Sequence, residues 1–287
     1  MLLSRGVRSC LPTLACLTGF FTGCYPQLDV DPAAYQHEPA APHALGGTRS
    51  SSGGTESVAG QAGQAGSGGA AGAPAMEPSE CSRGASVLGG FVTNVRDLGK
   101  IPVAAGAIEC GAIYRGGPLK ALTLEGCERV AELGLATVID LRQQSERESV
   151  PNSSCVEART ISAPLPIPYG LSGSDYLADL NATDSISRVF HAFGDPAAYP
   201  IYFHCTYGRD RTGVVGALLL LALGASRQDV MADYLLSRDS VGAYPDALNA
   251  VLDEIERRGG ATATLLGLGI SEQELAVLRS HVVAMAP

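Results

Sequence analysis

The sequence predicts an α/β fold in which helices flank a central, mainly parallel sheet. Three short runs have the β-branched and aromatic composition of strands: 112–115, 136–141 and 201–204. The last two are almost continuously apolar, which is typical of strands covered on both faces. Helical patterns lie between and after these runs, and such alternation favours a parallel sheet.

Five segments have helix signals. They share apolar residues at helical spacing and a typical start or stop residue, such as an initial threonine or a following glycine. The predicted helices are 123–133, 212–223, 226–238, 244–258 and a last one that Ser271 opens as a capping box with Glu274. The apolar run 214–225 is too short for a membrane span and fits a buried helix.

Composition divides the 287 residues into three parts. Residues 1–23 predict an export signal, because Arg5 and Arg8 precede an uncharged apolar run. Residues 24–80 predict a flexible Gly/Ala/Pro-rich linker, because they cannot bury enough apolar surface to offset the entropy of ordering. Residues 81–287 predict a single globular domain.

The export signal ends at Phe21-Thr22-Gly23-Cys24, which resembles a bacterial lipobox. Phe21 departs from the pattern, since an aliphatic residue is usual there. A lipid on Cys24 would hold the exported protein at a membrane of the bacterial cell envelope. A plain secretory signal or an uncleaved anchor is the alternative, and Cys16 is a weaker lipidation candidate.

Charge and cysteine spacing exclude other classes. The net charge of −9 disfavours nucleic acid as a partner, because such proteins need a basic surface to neutralise phosphates. None of the eight cysteines forms a Cys-x-x-Cys pair, so no zinc module is predicted. We expect no metal and no other cofactor.

The most informative segment is 201–213, in which a buried strand leads into a short loop and an apolar helix. Open α/β sheets bind ligands at such a place, where unpaired backbone N–H groups and the helix dipole favour an anion. The same field favours a thiolate at Cys205. Arg211, six residues later, is close enough to direct two N–H groups to a phosphate, and Thr212 could donate its hydroxyl to the thiolate.

A thiolate, an anion cradle and a bidentate arginine together predict displacement on phosphorus, with a covalent phosphocysteine intermediate. Of the eight cysteines, only Cys205 has an arginine six residues later. The plain alternative is a buried cysteine in a strand-to-helix turn beside two surface arginines.

These residues resemble the signature loop of the cysteine-dependent protein-tyrosine phosphatase superfamily. The shared pattern is His204-Cys205, five residues, then Arg211-Thr212-Gly213. More narrowly, 208–213 looks like the bacterial and fungal branch that contains the secreted mycobacterial tyrosine phosphatases. The resemblance covers about residues 84 to 240. Its other matching segments are 94–99, 113–117, 138–146 and 233–237.

The resemblance implies that Cys205 is the nucleophile, Arg211 the phosphate clamp and Asp210 the general acid to the leaving oxygen. The larger superfamily places that acid on a separate loop. Four aspartates lie upstream, in a polar segment that we expect to be rich in loops: Asp175, Asp179, Asp184 and Asp195. The remaining loop residues are expected to bind phosphate: Thr206, Tyr207, Gly208, Arg209 and Thr212.

Three further residues are expected to support the loop. His204 would tune Cys205 rather than transfer protons, with a satisfied core histidine as the alternative. Asp97, beside Arg96, lies near the loop by resemblance, or else forms a turn before Gly99. Asp140 either braces the arginines of the loop or caps the segment that follows it.

Two loop positions depart from the branch. Arg209 stands where lysine is usual, and a cation there suits a multiply phosphorylated substrate such as a phosphoinositide. Tyr207 replaces a small residue, and we expect it to narrow the pocket or to stack on an aryl phosphate.

Four other cysteines follow the linker, and in an exported protein they allow three pairings: Cys81, Cys110, Cys127 and Cys155. Cys81 with Cys110 would fasten the start of the domain. Cys127 lies on a predicted helix and fits a buried thiol.

The sequence thus predicts a catalytic domain at 81–287 that hydrolyses phosphate monoesters, foremost phosphotyrosine in proteins. The alternatives are a phosphoinositide or dual-specificity phosphatase, a catalytically inactive phosphate-binding lipoprotein, and a sulfur-transfer enzyme. Retention of Cys205, Asp210, Arg211 and Thr212 disfavours an inactive module, and the Arg-Thr-Gly ending disfavours sulfur transfer.

Overall fold

The computed structural model describes Cys81 and residues 87–168 and 170–285. The expected export signal, the linker and Cys24 lie outside these residues, so their predictions stay predictions. Among the described residues, no helix is long and apolar enough to cross a membrane.

The described residues contain eight strands and ten α-helices. The strands are β1 (Arg96–Asp97), β2 (Pro102–Val103), β3 (Gly106–Ile108), β4 (Ile113–Gly116), β5 (Thr137–Asp140), β6 (Arg159–Ser162), β7 (Ile201–His204) and β8 (Val283–Met285). The helices are α1 (Leu124–Glu132), α2 (Gln144–Ser149), α3 (Gly173–Leu180), α4 (Thr183–Phe193), α5 (Asp210–Ala222), α6 (Arg227–Leu235), α7 (Arg238–Val241), α8 (Pro245–Arg257), α9 (Gly260–Gly267) and α10 (Glu272–Val282).

Five strands form the central sheet in the order β1-β4-β7-β5-β6. All neighbours are parallel except β1, which pairs antiparallel with β4 at one edge. The register places Gly116, His204 and Asp140 side by side where three strands end. The predicted α/β fold with a mainly parallel sheet is therefore confirmed.

The central strands and the helix after them are buried on every side. All four residues of β7 and all four of β5 are buried, which explains why these runs are almost continuously apolar. α5 contacts α3, α6, α8, α9 and β7, and twelve of its thirteen residues are buried. Its first turn, which follows the signature loop, is therefore fixed from several directions.

A second, antiparallel sheet of β2, β3 and β8 joins the two ends of the described domain. Ile108 of β3 pairs with Val283 of β8. The last helix begins at the predicted capping box, in which Ser271 and Glu274 exchange hydrogen bonds.

The expectation of a loop-rich segment upstream of the signature loop was wrong, because this segment forms α3 and α4. Ser172 caps α3 through a capping box with Asp175. Apolar residues at helical spacing are buried along the inner faces of the two helices: Tyr176, Leu180, Ile186, Val189, Phe190 and Phe193. Each helix is short, so this periodicity is difficult to recognise in the sequence.

Two disulfides fasten the described domain. Cys81 pairs with Cys110, as the sequence analysis favoured. Cys127 is not a free thiol, because it pairs with Cys155 and thereby joins α1 to the segment before β6. Cys205 is the free cysteine of the described residues.

Replacing Cys127 and Cys155 by alanine should lower the free energy of unfolding by about 2–4 kcal/mol, because the crosslink restricts the unfolded chain. The cysteines are 28 residues apart. Urea unfolding without reductant measures the effect. Peptide mapping of the unreduced wild type provides the control, since it must recover the Cys127–Cys155 pair. Equal unfolding midpoints would contradict the prediction.

Candidate active site

The signature loop, residues 204–212, connects β7 to α5 and places Cys205 at the carboxyl edge of the central sheet. Cys205 is 1% exposed. Gly208 has a φ of +63°, which favours glycine, and a Cβ there would lie 2.3 Å from the carbonyl carbon of Gly116. Only glycine therefore lets the loop pass this closely over the end of β4.

Side chains from outside the loop fix the orientation of its peptide groups. The amide of Asn94 donates to the carbonyl oxygens of Tyr207, at 3.1 Å, and Gly208, at 3.0 Å. Arg115 also donates to the Gly208 carbonyl, at 3.1 Å. No backbone N–H of residues 206–211 donates a hydrogen bond within the described part of the chain. These amides are therefore available to an anion.

A buried ion pair holds the two supporting segments together. Asp233 of α6 accepts from Arg96 Nε at 2.8 Å and from Arg115 at 2.6 Å. Arg96 also donates to the Asn94 side-chain oxygen at 2.9 Å, which turns the Asn94 amide group toward the loop. Burial raises the pKa of Asp233, but the two arginines outweigh it and the net direction is down.

Asp97 does not contact the loop, although the family resemblance placed it nearby. Its carboxylate accepts from the backbone amides of Gly99, at 2.8 Å, and Gly111, at 2.7 Å. It therefore stabilises the turn beside the Cys81–Cys110 disulfide, which agrees with the alternative interpretation. In this segment Asn94 contacts the loop directly, and Arg96 orients Asn94.

His204 holds the backbone of the nucleophile candidate. Its Nδ1 lies 3.2 Å from the carbonyl oxygen of Cys205, and its Nε2 lies 3.3 Å from the Asn152 side-chain nitrogen. A carbonyl can only accept, so Nδ1 carries the hydrogen and Nε2 accepts from Asn152. Burial lowers the pKa of His204 to about 4, against the opposing effect of Asp140. The ring is therefore neutral near pH 7.

Asp140 pairs with an arginine outside the loop. Both its oxygens accept from Arg142, at 2.9 and 2.7 Å, and its second oxygen lies 3.5 Å from Nε2 of His204. Burial raises the pKa of Asp140, but the hydrogen bonds of Arg142 and the nearby His204 outweigh it, so the net direction is down. It thus orients Arg142 rather than Arg209 or Arg211.

Arg211 is oriented by Glu146 of α2. Its two terminal nitrogens donate to the two carboxylate oxygens, at 2.6 and 2.8 Å. The Thr206 hydroxyl also donates to Glu146, at 2.5 Å, and accepts from Arg211 at 3.0 Å. In the sequence, Glu146 is distinguished only as part of the segment 138–146 that matches the phosphatase branch. Its pairing with Arg211 was not predicted.

Two buried donors beside Cys205 have no hydrogen-bond partner among the described residues. They are Nε of Arg211 and the hydroxyl of Thr212. The expected bond from Thr212 to the thiolate is therefore not formed in this structure. Together with the free amides of the loop, these donors make a cradle for an anion.

Each of the three guanidinium nitrogens of Arg209 donates a hydrogen bond within the protein. It forms a bidentate pair with Asp210, at 2.7 and 3.0 Å, and also donates to the carbonyl of Val241. Its guanidinium lies 4.6 Å from the ring centroid of Tyr244 and 5.6 Å from that of Tyr207. The side chain of Arg209 is buried, whereas Tyr207 is 43% exposed.

Asp210, the first residue of α5, is an acceptor on both carboxylate oxygens. Besides the Arg209 pair, it accepts from the Tyr176 hydroxyl at 2.5 Å. That hydroxyl is 2.7 Å from the Tyr234 hydroxyl. Burial and the neighbouring Asp210 raise the pKa of Tyr176, so Tyr176 keeps its proton and donates.

The four upstream aspartates occupy different environments. Asp175 belongs to the capping box of α3, and Asp184 is exposed in the first turn of α4. Asp195 caps a short 3₁₀ turn and pairs with Arg159. Asp179 alone of these four is fully buried, on a helix that packs against both α5 and α8.

This combination of fold and loop defines an α/β protein with an anion cradle around a buried cysteine. The model of the tyrosine phosphatase family matches residues 90–284, more than half of the chain. The chain therefore belongs to the tyrosine phosphatase family.

Individual proteins are similar to parts of this chain. A protein of Cupriavidus necator that is provisionally named a tyrosine-protein phosphatase is 28% identical over 201 residues, 63% of this chain and 68% of that protein. The triple specificity protein phosphatase PtpB of Mycobacterium tuberculosis is 53% identical over 45 residues, 16% of each chain. The solved structure of P. aeruginosa TpbA with phosphotyrosine has a TM-score of 0.35 at 15% identity and covers 57% of this chain and 91% of its own.

Replacing Glu146 by glutamine should reduce kcat/KM for para-nitrophenyl phosphate about 10- to 100-fold, because Arg211 loses the carboxylate that orients it. Glu148→Gln, on the exposed side of α2, is the matched control and should retain full activity. Equal rates for Glu146→Gln and the control would contradict this role of Glu146.

The same substitution should have a pH-dependent effect on stability. Burial raises the pKa of Glu146, but Arg211 outweighs it and lowers the pKa to about 2. Because this pKa is depressed in the folded state, the stabilisation exists above the ordinary glutamate pKa and is lost as the pH falls toward 2. The melting-temperature difference between wild type and Glu146→Gln should therefore narrow below about pH 4.

Proposed function

We propose that this protein is a cysteine-dependent phosphatase that hydrolyses phosphate monoesters, most directly phosphotyrosine in proteins, through a phosphocysteine intermediate. One observation supports this above all. The free amides of residues 206–211, the unpartnered Nε of Arg211 and the unpartnered hydroxyl of Thr212 all lie in the loop and helix start that directly follow the free Cys205. These are the donors that a phosphoryl group requires during in-line displacement.

In the first step, the Cys205 thiolate would attack phosphorus while the loop amides and Arg211 bind the non-bridging oxygens. A basic leaving oxygen needs a proton from a carboxylic acid, and the family resemblance implies Asp210 for this role. In the second step, water would attack the phosphocysteine and release inorganic phosphate. Apart from the substrate and water, the scheme uses only functional groups of the chain itself.

The hydrogen bonds that Arg209 already makes within the protein favour phosphotyrosine over phosphoinositides as the substrate. A second phosphate would have to compete with Asp210 and the Val241 carbonyl for this guanidinium. Tyr207 is an exposed residue of the loop, and its ring offers an aromatic surface to an aryl phosphate. A phosphoinositide or dual-specificity phosphatase remains the second candidate, because the matching mycobacterial relative is named a triple specificity phosphatase.

We also propose that the protein is exported and held at a membrane of the bacterial cell envelope by a lipid on Cys24. Two disulfides in the described domain are consistent with an oxidising compartment. Mass analysis of the mature N-terminus and detergent-phase partitioning of wild type and Cys24→Ala test the proposal. A soluble wild type without lipid would support a plain secretory signal instead.

Replacing Cys205 by serine should abolish turnover, with a loss of at least about 10³-fold, because the hydroxyl is a far weaker nucleophile at neutral pH. The assay compares para-nitrophenyl phosphate, a phosphotyrosine peptide, a phosphoserine peptide and a phosphoinositide, all with a chelator present. Wild type should act fastest on the aryl phosphates, and acid quenching should trap phosphate on Cys205.

Two results would contradict the proposal. Equal inactivity of wild type and Cys205→Ser on every substrate would favour the inactive phosphate-binding lipoprotein. Faster turnover of the phosphoinositide than of the phosphotyrosine peptide would move the substrate class to the second candidate.

A further inference from the structure

Asp179 is a buried carboxyl group without a hydrogen-bond partner. It is 0% exposed, and neither of its oxygens has a partner among the described residues. Such a group is unusual, because burying an unpaired polar atom costs free energy that native proteins generally avoid. Titratable groups whose pKa is strongly perturbed by burial are concentrated at functional sites.

The position of Asp179 relates it to the phosphate cradle. It lies one turn after Tyr176 on α3, and the Tyr176 hydroxyl contacts Asp210 at the start of α5. The charges that act on Asp179 are Arg211 and Asp210 on α5 and Asp175 on its own helix, whereas α8, which also packs against α3, contributes none among the described residues.

Arg211 is thus an electrostatic neighbour of both Asp179 and Cys205. Asp179 is buried to about the same degree as Cys205 and Arg211. Cys205 is 1% exposed and Arg211 is 3% exposed. The carboxyl group and the thiol are therefore both buried, and both act electrostatically on the same guanidinium.

Asp210 is less suited to deliver a proton. Both its oxygens accept hydrogen bonds from Arg209, and one also accepts from Tyr176. A carboxylate held in this way anchors its donors, and this arrangement fixes Arg209 and the start of α5.

Asp179 has the protonation state that a general acid needs. Burial raises its pKa to about 8, Arg211 opposes this effect, and Asp210 and Asp175 add to it. Near neutral pH the group is a carboxylic acid with a proton that no neighbouring acceptor holds.

We propose that Asp179 is the general acid of the proposed phosphatase reaction, on which this inference depends. As the Cys205 sulfur forms its bond to phosphorus, the bond from phosphorus to the leaving oxygen breaks. The Asp179 carboxylic acid transfers its proton to that oxygen, so that an alcohol or phenol leaves with phosphocysteine and the Asp179 carboxylate as the other products.

The second step restores both groups. Water attacks phosphorus and gives one proton to the Asp179 carboxylate, while the sulfur–phosphorus bond breaks and returns its electron pair to the Cys205 thiolate. Hydrogen phosphate is released, and Asp179 is again a carboxylic acid. Arg211 and the loop amides bind the phosphoryl oxygens throughout.

The test compares Asp179→Asn, Asp210→Asn and Asp184→Asn on substrates with leaving groups of different basicity. Asparagine keeps the shape of aspartate but has no proton to give. Asp179→Asn should lose about 10²- to 10³-fold in kcat with a phosphotyrosine peptide. It should lose less than about tenfold with para-nitrophenyl phosphate, whose leaving group is stable without protonation. Asp184→Asn, the exposed control, should match wild type on both.

A pH profile separates catalysis from a structural role. Wild-type activity on the phosphotyrosine peptide should fall as the pH rises through about 8. This alkaline limb of the pH profile should be absent in Asp179→Asn. A structural defect would lower activity on both substrates equally and leave the limb in place. If Asp179→Asn does not fold, Asp179→Ser replaces it in the comparison. The dependence of wild-type kcat on the leaving group, measured above and below pH 8, also provides the same test.

Three outcomes would overturn the assignment: equal losses on both substrates, an unchanged alkaline limb, or leaving-group dependence in Asp210→Asn instead of Asp179→Asn. In each of these cases wild type would still turn over through Cys205, so the proposed function would stand. Inactivity of wild type and Cys205→Ser alike would instead refute the phosphatase reaction itself.

Discussion

The buried pairing of Asp233 with Arg96 and Arg115 is the interaction on which the candidate site depends. It joins α6, the edge strand β1 and the core strand β4 at one point. From this point Arg115 and Asn94 reach the carbonyls of the signature loop. Since a peptide's carbonyl and amide point in opposite directions, fixing the carbonyls outward also directs the amides toward the anion cradle. Breaking one partner of such a pair would leave an uncompensated charge in the core.

The acidity of the chain has little influence on this site, because three arginines near the loop each pair with a separate carboxylate. Arg142 pairs with Asp140, Arg209 with Asp210, and Arg211 with Glu146. The positive field at Cys205 therefore depends on the loop amides, the amino end of α5 and the unpartnered edge of Arg211. A protein with a net charge of −9 can in this way have a selective anion site.

Asp210 and Asp179 differ in what surrounds them, and this difference separates an anchoring role from the proton transfer that we propose for Asp179. Asp210 accepts from a guanidinium and a phenol, so it fixes neighbouring side chains. Asp179 is enclosed without a partner, so burial keeps its proton in place. Two identical side chains thus acquire distinct properties from solvation and hydrogen bonding alone.

The sequence by itself determined the fold class and the central loop, because these follow from local patterns. Continuous apolar runs predict buried strands, and the spacing of Cys205 and Arg211 places both at one strand-to-helix turn. Only the tertiary structure decided which distant residues meet there. Glu146 of α2 pairs with Arg211 from 65 residues away, and Asp233 of α6 holds Arg115, which donates to the Gly208 carbonyl. Burial and ion pairing depend on how helices pack over the sheet, and no local spacing in the sequence encodes that arrangement.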